Sequence, residues 1–419
     1  MTRRRAYAVV LAACVLPRLA VLLHERSGIL DNMEKSDALA RVLLKTGTFG
    51  YVPGEPSANT QPLYGWFLWL VYWLAGKHWW SVGGAQLLVA AATALVVYEI
   101  GRRRFSARVG LVAALAATLQ PYLVWHDVHG NREILDQLLG AAMFGLALVA
   151  RSPLTGAALG LVTGVAILSN SRLVLLPLVF AVYLLWRQPT ASRITTTLAA
   201  LLVPALAAVA LAPWLVRNKV QVGCFAITTD ARALWKANNL GTYETLSHGG
   251  WIDDVPDIPQ RRSSLPGPWY TPYETGTYYV KHGVKIHVDE CAQQNYYEHL
   301  VWQFWEHHPG AKAKLMAQAT WMLWNPRVER EGGPAAGVDP IRHYVEPVWV
   351  IVLYVLGLVG LFVVAAPVRV LALLFVGYET LAAWVFAGTT RYRVPWDFAL
   401  ALLAAAALEW FLRRRTQAG

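Results

Sequence analysis

Long apolar stretches separated by short polar ones run along most of the 419-residue chain. A helix needs roughly 20 apolar residues to cross the hydrocarbon core of a bilayer, which is about 30 Å thick. Ten stretches come close to that length, and we predict that each forms a transmembrane helix. They are residues 6–23, 81–100, 107–126, 133–150, 153–170, 172–187, 194–215, 346–366, 368–387 and 394–412. The pattern therefore predicts an all-α polytopic membrane protein.

An eleventh stretch, residues 62–76, has only 15 residues and is rich in Trp and Tyr. Cytoplasmic loops of membrane proteins carry an excess of Lys and Arg, and Trp and Tyr favour the membrane interface. If this stretch lies in the interface, the arginines of the short loops all fall on one side, together with both termini. They are Arg3, Arg4, Arg5, Arg102, Arg103, Arg104, Arg108, Arg151, Arg187, Arg193, Arg369, Arg413, Arg414 and Arg415. We therefore predict ten spans with both termini in the cytoplasm and an uncleaved N-terminal anchor.

Three regions follow from this topology. Residues 1–215 form a helix bundle whose first outer loop is residues 24–80. Residues 216–345 form a small extracytoplasmic segment, and residues 346–419 add the C-terminal transmembrane helices. Within the first outer loop, residues 34–45 are amphipathic and predict a second interfacial helix.

Two further patterns concern packing and covalent links. Gly156, Gly160 and Gly164 form a small-xxx-small ladder, which is typical of closely packed membrane helices. Cys224 and Cys291 both lie in the extracytoplasmic segment, where they form either a disulfide or two free thiols.

The composition supports a membrane protein, with 56% hydrophobic and only 15% charged residues, whereas soluble domains have about 25% charged residues. The formal net charge of +11 would suggest a nucleic-acid partner in a soluble chain. Here the excess marks the cytoplasmic side, so we expect membrane lipids and no nucleic acid as partners. All eleven histidines and nearly all acidic residues fall on the other side, where we expect the chemistry.

Three carboxylates in the first outer loop are candidates for a catalytic base: Asp31, Glu34 and Asp37. Asp31 could instead cap the following helix. Asp37 precedes Arg41 by four residues, which also fits a simple ion pair on one helix face.

The second outer loop combines His126, Asp127, His129 and Glu133 within eight residues. These side chains could bind a divalent metal, although ordinary surface polarity is the alternative. No other cofactor is indicated. Glu133 and Asp136 also enter a predicted span, where ionisable groups are costly unless paired and are functional candidates by default.

Several arginines lie at the outer ends of spans, against the positive-inside trend. Arg18, Arg172, Arg217, Arg391 and Arg393 make up this group. Each could pair with Glu133, Asp136, Glu346 or Asp397, or extend to the membrane surface. Together they indicate a site for an anion, most plausibly a lipid phosphate, because guanidinium groups bind phosphate in a bidentate manner.

Five stretches, in order, carry a resemblance to a known superfamily: ALARVLLKTGTFGY, QPLYGWFLWLVYWLAG, VVYEIGRRRFSARVGLVAALAATLQP, APWLVRNKVQVGCFAITTDARALWKANN and RYRVPWDFALALLAA. The chain resembles the GT-C glycosyltransferases that use polyprenyl-phosphate sugars, in the branch of the protein mannosyltransferases and aminoarabinose lipid A transferases.

The resemblance implies roles for individual residues. Counting along the family pattern places the first-loop catalytic aspartate at Asn32, so that the adjacent Asp31 is the expected base, with Glu34 or Asp37 as substitutes. Glu133, supported by Asp136, matches an acidic residue at the start of a span. Arg217, Arg391, Tyr392 and Arg393 match family motifs. Together with Arg172 from the outer arginines, they are the expected donor-phosphate residues.

The same resemblance implies inverting transfer of a monosaccharide from a polyprenyl-phosphate donor to a hydroxyl of a lipid, glycan or protein acceptor. The reaction would occur on the outer face of a bacterial or archaeal cytoplasmic membrane. A transporter or flippase for a lipid-linked or anionic substrate is the main alternative, and a non-catalytic lipid-binding scaffold is another.

Overall fold

Helices account for nearly all regular structure in this computed structural model, which describes residues 2–26, 28–31, 34–187, 193–256, 270–327 and 340–418. The helices are α1 (Arg3–His24), α2 (Glu34–Thr46), α3 (Pro62–Ala75), α4 (Trp79–Arg104), α5 (Ala107–Thr118), α6 (Pro121–His126), α7 (Glu133–Val149), α8 (Pro153–Ser169), α9 (Leu176–Trp186), α10 (Arg193–Gln221), α11 (Ala231–Lys236), α12 (Thr242–Ser247), α13 (Pro272–His282), α14 (Glu290–His307), α15 (Pro309–Trp324), α16 (Pro340–Val363), α17 (Ala366–Val385), α18 (Thr390–Arg393) and α19 (Phe398–Ala418). No β-strand occurs in those ranges.

The predicted all-α membrane architecture is confirmed. Six segments of the described chain are long and apolar enough to cross a membrane: α1, α4, α10, α16, α17 and the segment that contains α18 and α19. The shorter apolar helices α5 and α8, the stretch Ser171–Trp186 that contains α9 and the 17-residue α7 lie at the four other predicted spans. The helix count is therefore roughly the predicted one, although α5 with 12 residues and α9 with 11 are too short to cross the bilayer core by themselves.

Two of the predicted spans begin or break differently from the prediction. The stretch 107–126 is divided into α5 and α6, because Pro121 starts a new helix and the Gln120 side chain accepts the Leu123 N–H at 2.8 Å. The stretch 172–187 opens with a single 3-10 turn at Ser171–Leu173, and α9 begins only at Leu176. In both places a proline at the helix start fixes the backbone, since its missing N–H costs nothing there.

The interfacial prediction for residues 62–76 agrees with the dimensions of α3. Its 14 residues extend about 21 Å, at 1.5 Å per residue, and so fall short of the bilayer core. The helix packs against α2 and α4, with Tyr64 and Leu68 buried, whereas Trp73 and Leu74 are exposed.

Contacts between distant segments show that the long loops share one end of the bundle, which we call the loop face. The Gly130 N–H donates to the Ile29 carbonyl at 3.2 Å, and Gln61 Nε2 donates to Ser171 Oγ at 2.9 Å. The opposite end, the arginine face, holds the charge cluster around Glu99, which contacts Arg102 at 2.7 Å.

The glycine ladder of α8 packs directly on α10, as predicted. A Cβ atom added to Gly156 or Gly160 would lie 2.4 or 2.5 Å from the carbonyl oxygens of Ala199 and Val203. Because such contacts are too short for any side chain, these two helices can approach this closely only with glycine at these positions.

The described part of the 216–345 segment folds as five helices, α11 to α15, over the loop face. Cys224 and Cys291 form a disulfide, which decides between the two alternatives that the sequence left open, and Cys14 is buried in α1. α15 packs lengthwise along α17, where Trp324 Nε1 donates to Thr380 Oγ1 at 3.0 Å. Part of this segment therefore joins the bundle.

Candidate active site on the loop face

A buried glutamate and a surface arginine form the centre of the site. Glu133 is the first residue of α7, and its side chain is only 3% exposed, whereas that of Arg391 in α18 is 41% exposed. The Arg391 guanidinium donates to both carboxylate oxygens, from Nε at 2.7 Å and from Nη2 at 3.1 Å. This bidentate pair fixes α18 to the start of α7 and leaves part of the guanidinium facing outward.

Arg132 extends the site toward the first outer loop. Its Nη1 donates to Gln61 Oε1 at 3.1 Å, and its Nε lies 3.6 Å from a Glu133 oxygen. Gln61 in turn donates to Ser171. Neither Arg132 nor Gln61 was predicted as a site residue from the sequence, although both are polar residues directly before an apolar helix.

Arg172 lies in the 3-10 turn before α9, beside Arg132 and Glu133. Its guanidinium carbon lies 3.5 Å from the centre of the Tyr392 ring and 5.1 Å from that of Phe386. Its hydrogen bond to the Ala387 carbonyl is long, at 3.5 Å. Within the described ranges, no carboxylate lies within ion-pair distance of Arg172, so its charge is offset mainly by aromatic faces.

Asp136 supports the position of the 3-10 turn that contains Arg172. It lies one helical turn after Glu133 in α7, and it accepts hydrogen bonds from Ser169 Oγ at 2.6 Å and Asn170 Nδ2 at 3.1 Å. The Asn170 side-chain oxygen also accepts the N–H of Arg172 at 3.3 Å. Asp136 thereby connects α7 to the residues that orient Arg172.

Arg132, Arg172 and Arg391 thus lie close together on the loop face, around the carboxylate of Glu133. We call these three arginines the arginine cluster. Glu379, which was not predicted from the sequence, lies buried in α17, within electrostatic range of Arg172. Guanidinium groups gathered in this way can bind an anion such as phosphate.

Arg217 and Arg393, which the sequence grouped with these residues, have other contacts. Arg217 donates to the carbonyls of Ser57 at 2.8 Å and Phe49 at 2.7 Å, and so holds the first outer loop. Arg393 is buried and contacts Asp397 at 3.3 Å and the Asn325 carbonyl at 3.0 Å. The structure does not bring either of them into the arginine cluster.

Arg18, the remaining outer arginine of the sequence analysis, is also engaged. It donates from Nε and Nη2 to Asp127 at 2.9 and 2.7 Å, and both side chains are buried. Arg18 is therefore paired, but with Asp127 and not with one of the four carboxylates predicted from the sequence.

The candidate bases differ in their surroundings. Asp37 accepts hydrogen bonds from Arg41, Tyr72 and Lys77, at 2.8, 2.8 and 2.9 Å, which confirms the predicted i,i+4 ion pair. Glu34 begins α2, and its side chain lies outside what the structure describes.

Asp31 lies in a tight turn, where its N–H donates to the Gly28 carbonyl at 3.1 Å, and it is exposed. The turn contacts the second outer loop through Ile29 and Gly130. α2 begins three residues later, so Asp31 is too early in the chain to be its N-cap. No described side chain pairs with the Asp31 carboxylate.

The possible metal ligands are not brought together. His129 contacts Glu25 through Nε2 and the Trp125 carbonyl through Nδ1, both at 2.8 Å. The His126 ring stacks on Tyr122 with a centroid distance of 4.8 Å, while Glu133 binds Arg391. Across the described residues, no three His, Cys, Asp or Glu side chains form a metal-binding group.

Glu290 at the start of α14 is another buried carboxylate, and it was not identified from the sequence. Its Oε2 accepts the Ala58 N–H at 2.9 Å and the Thr229 hydroxyl at 2.6 Å. Burial raises the pKa of Glu290 above its usual range, and these hydrogen bonds oppose the rise. Glu290 thereby joins the first outer loop to the 216–345 segment.

Comparisons with known proteins agree with this architecture. A sequence profile of the dolichyl-phosphate-mannose-protein mannosyltransferase family matches residues 56–216. The archaeal oligosaccharyltransferase AglB from Archaeoglobus fulgidus, in complex with an inhibitory peptide and a dolichol-phosphate, superposes with a TM-score of 0.54 at 11% identity, over 97% of this chain and 50% of that one. Its apo form gives 0.52 at 12% identity, over 97% and 51%.

ArnT from Cupriavidus metallidurans, bound to undecaprenyl phosphate, gives a TM-score of 0.46 at 17% identity, over 97% of this chain and 78% of that one. The chain spans about half the length of the archaeal oligosaccharyltransferase. No curated protein sequence matches it significantly. The GT-C fold expected from the sequence is confirmed.

Proposed function

On the premise of the GT-C fold, we propose that the chain is a membrane glycosyltransferase. It moves a monosaccharide from a polyprenyl-phosphate donor to a hydroxyl acceptor, with inversion at the anomeric carbon. The observation that carries this proposal is the arginine cluster, in which Arg172 is half-buried and has no carboxylate at ion-pair distance among the described residues.

The donor phosphate binds at the arginine cluster in this proposal. Arg172 supplies a guanidinium that is not paired with a described carboxylate, and the exposed part of Arg391 supplies a second. Arg132 and the Tyr392 ring complete the site. As the bond to the sugar breaks, negative charge grows on the phosphate, and fixed cations there stabilise the transition state.

Asp31 is the proposed base. Its carboxylate takes the proton of the acceptor hydroxyl while the hydroxyl oxygen attacks the anomeric carbon. The bond from that carbon to the phosphate oxygen breaks, and polyprenyl phosphate leaves with the electron pair. Attack opposite the leaving group inverts the configuration. The exposure of Asp31 supports this assignment, and Glu34 is the substitute.

In this scheme, the remaining candidate residues hold other parts of the protein in place. Asp37 holds α2 against α3 through its three donors. Arg217 fixes the backbone of the first outer loop, and Arg393 anchors the end of α15 near α18. Glu133 and Asp136 orient Arg391 and the Arg172 turn.

We place the loop face outside a bacterial or archaeal cytoplasmic membrane. The disulfide supports this orientation, because disulfides persist in oxidising compartments. The arginine-rich opposite face supports it through the positive-inside rule.

The test is native mass spectrometry of the detergent-purified protein with a mixed pool of polyprenyl-phosphate sugars. We expect the wild type to retain one species selectively and Arg172→Gln to retain it at least about tenfold less. Arg415→Gln, on the arginine face, is the matched control and should behave as wild type. If the wild type retains no polyprenyl phosphate, the phosphate assignment is wrong.

Transfer itself is tested with Asp31→Asn. General-base catalysis contributes about 10²–10⁴-fold, so transfer should fall by that factor while donor retention stays unchanged. If Asp31→Asn transfers sugar at the wild-type rate, Asp31 is not the base. Movement of the lipid-linked substrate across a vesicle membrane without any transfer would favour the flippase alternative.

A further inference from the structure

A cavity of about 210 Å³ lies between the first outer loop and the 216–345 segment. Its walls come from residues 51–57, the end of α10, the start of α13 and residues 286–290. It is separate from the arginine cluster, and nothing in the proposed donor chemistry uses it. Pockets for drug-sized ligands have volumes of about 300–1,000 Å³, so this cavity suits a group of about one ring.

The cavity lining combines apolar walls with polar side chains. Tyr51, Pro56 and Val288 contribute apolar surface, and the polar lining residues are Glu55, Ser57, Gln221, Thr275, His287 and Glu290. The Glu290 carboxyl is held by Ala58 and Thr229. No described residue pairs with the Glu55 side chain. An ionised Glu55 carboxylate can only accept hydrogen bonds, whereas Ser57, Gln221 and Thr275 can both donate and accept them. A neutral ligand whose hydroxyl groups both donate and accept therefore fits this lining.

The cavity is connected to the arginine cluster by a short piece of backbone. Ser57 lines the cavity, and Gln61, four residues later, contacts Arg132 and Ser171. Four residues span at most about 14 Å. The segment is also fixed at its start, because Arg217 and Glu290 bind the backbone at Ser57 and Ala58.

We infer that this cavity is an acceptor subsite that takes the sugar ring of a hydroxyl-rich acceptor. The inference rests on the proposed function and extends it, because it assigns the acceptor to carbohydrate. The ring lies among Glu55, Ser57 and Val288 and positions a neighbouring hydroxyl of the same glycan toward the arginine cluster. The glycan itself can be carried by a lipid or by a peptide.

The experiment measures binding of sugars to the full chain in nanodiscs. The probes are methyl glycosides of common hexoses, hexosamines and pentoses, followed by the best-bound sugar attached to a short peptide or to a lipid. Saturation-transfer NMR reports the binding of the soluble probes, and native mass spectrometry reports that of the lipid-linked one. The tighter of the two conjugates identifies the carrier.

Two variants change the cavity and one provides the control. Glu55→Gln removes a charged acceptor without changing its shape, and we expect at least about tenfold weaker binding. Val288→Trp fills the space and should abolish binding. Glu244→Gln removes an exposed carboxylate of the same segment outside the cavity and should bind like the wild type. If Val288→Trp fails to fold, as judged by gel filtration, Glu55→Gln still decides the question.

Absence of glycoside binding by the wild type would overturn the inference, as would equal binding by Glu55→Gln and the wild type. Retention of the polyprenyl-phosphate donor is measured on the same samples. Donor retention without glycoside binding rejects the acceptor subsite and leaves the proposed function standing. Glycoside binding without donor retention rejects the proposed donor and leaves the subsite standing.

Discussion

Asp31 and Asp37 lie six residues apart, yet their surroundings predict opposite responses to the same substitution. The Asp37 carboxylate is buried and accepts from three side chains. Asp31 is exposed, and no described side chain pairs with it. A carboxylate that organises its neighbours contributes to folding, whereas one directed at solvent is available to a substrate.

Asp37→Asn should therefore lower the free energy of unfolding by about 1–3 kcal/mol, because Tyr72, Arg41 and Lys77 lose a charged acceptor that is itself buried. Asp31→Asn should change it by less than about 0.5 kcal/mol, as is usual for an exposed position. Apparent Tm values of the two variants in one detergent check this. Equal losses of stability would contradict the assignment of Asp37 as a structural residue.

Glu290 gives a pH-dependent prediction. Its pKa in the folded protein is raised above the ordinary value of 4.5 by burial. The folded state therefore holds a proton that the unfolded state releases, and stability falls as the pH rises from about 4.5 through the folded pKa. Glu290→Gln keeps acceptors for Ala58 and Thr229 but removes this titration.

Relative to the wild type, the apparent Tm of Glu290→Gln should rise as the pH increases from about 4.5 and then level off. Thermal unfolding followed by intrinsic fluorescence across this range measures the difference. Glu244→Gln, on an exposed carboxylate, should follow the wild type at every pH. A difference that shrinks with rising pH has the wrong sign for a raised pKa.

At the scale of elements, the glycine ladder sets how closely α8 and α10 approach. Gly160→Ala places a Cβ about 2.5 Å from the Val203 carbonyl oxygen, so the helices must separate. Overpacking of this kind typically costs about 1–3 kcal/mol. Gly84→Ala in α4 is the matched control, because nothing lies within 4 Å of its added Cβ.

The control should leave stability unchanged or raise it by up to about 1 kcal/mol, since alanine favours the helix more than glycine. Apparent Tm values of Gly160→Ala and Gly84→Ala measure the two changes in stability. If both variants shift in the same direction by the same amount, the contact between α8 and α10 is not what the ladder provides.

Element lengths were predictable because apolar length and membrane thickness are directly related. The sequence missed the break inside residues 107–126, since Pro121 and the Gln120 cap interrupt a stretch that is apolar throughout. The site was predictable only in part. Glu133 and Arg391 are 258 residues apart, and periodicity carries no information about such a pairing.

The same limit explains which residues were missed. Arg132 and Gln61 are recognised as site residues only through their contact with each other, which joins positions 71 residues apart. Glu290 is recognised only through its hydrogen bond to Ala58, which is 232 residues away in the chain. Arg217 and Arg393 were grouped with the cluster because of residue type and position near a span end. Their backbone partners could not be read from the sequence.

For the whole molecule, the disulfide joins the end of α10 to the start of α14 beside the proposed acceptor cavity. It closes a stretch of 67 residues, and removing a link of this kind typically costs about 2–5 kcal/mol. We expect the double variant Cys224→Ser and Cys291→Ser to show a lower apparent Tm, and the wild type in reductant to approach it. An unchanged Tm in both cases would mean that hydrogen bonds such as those of Glu290 hold this segment alone.

Orientation in the membrane is the property on which the whole proposal depends, and the chain is well suited to measuring it. Cys14 is buried and the other two cysteines are bonded to each other, so a new surface cysteine provides the accessible thiol. Glu244→Cys reports the loop face, and Thr416→Cys, at the exposed end of α19, reports the arginine face. In intact cells, a membrane-impermeant maleimide should label Glu244→Cys and reach Thr416→Cys only after permeabilisation. The reverse pattern would place the arginine cluster in the cytoplasm, where neither the disulfide nor the positive-inside rule predicts it.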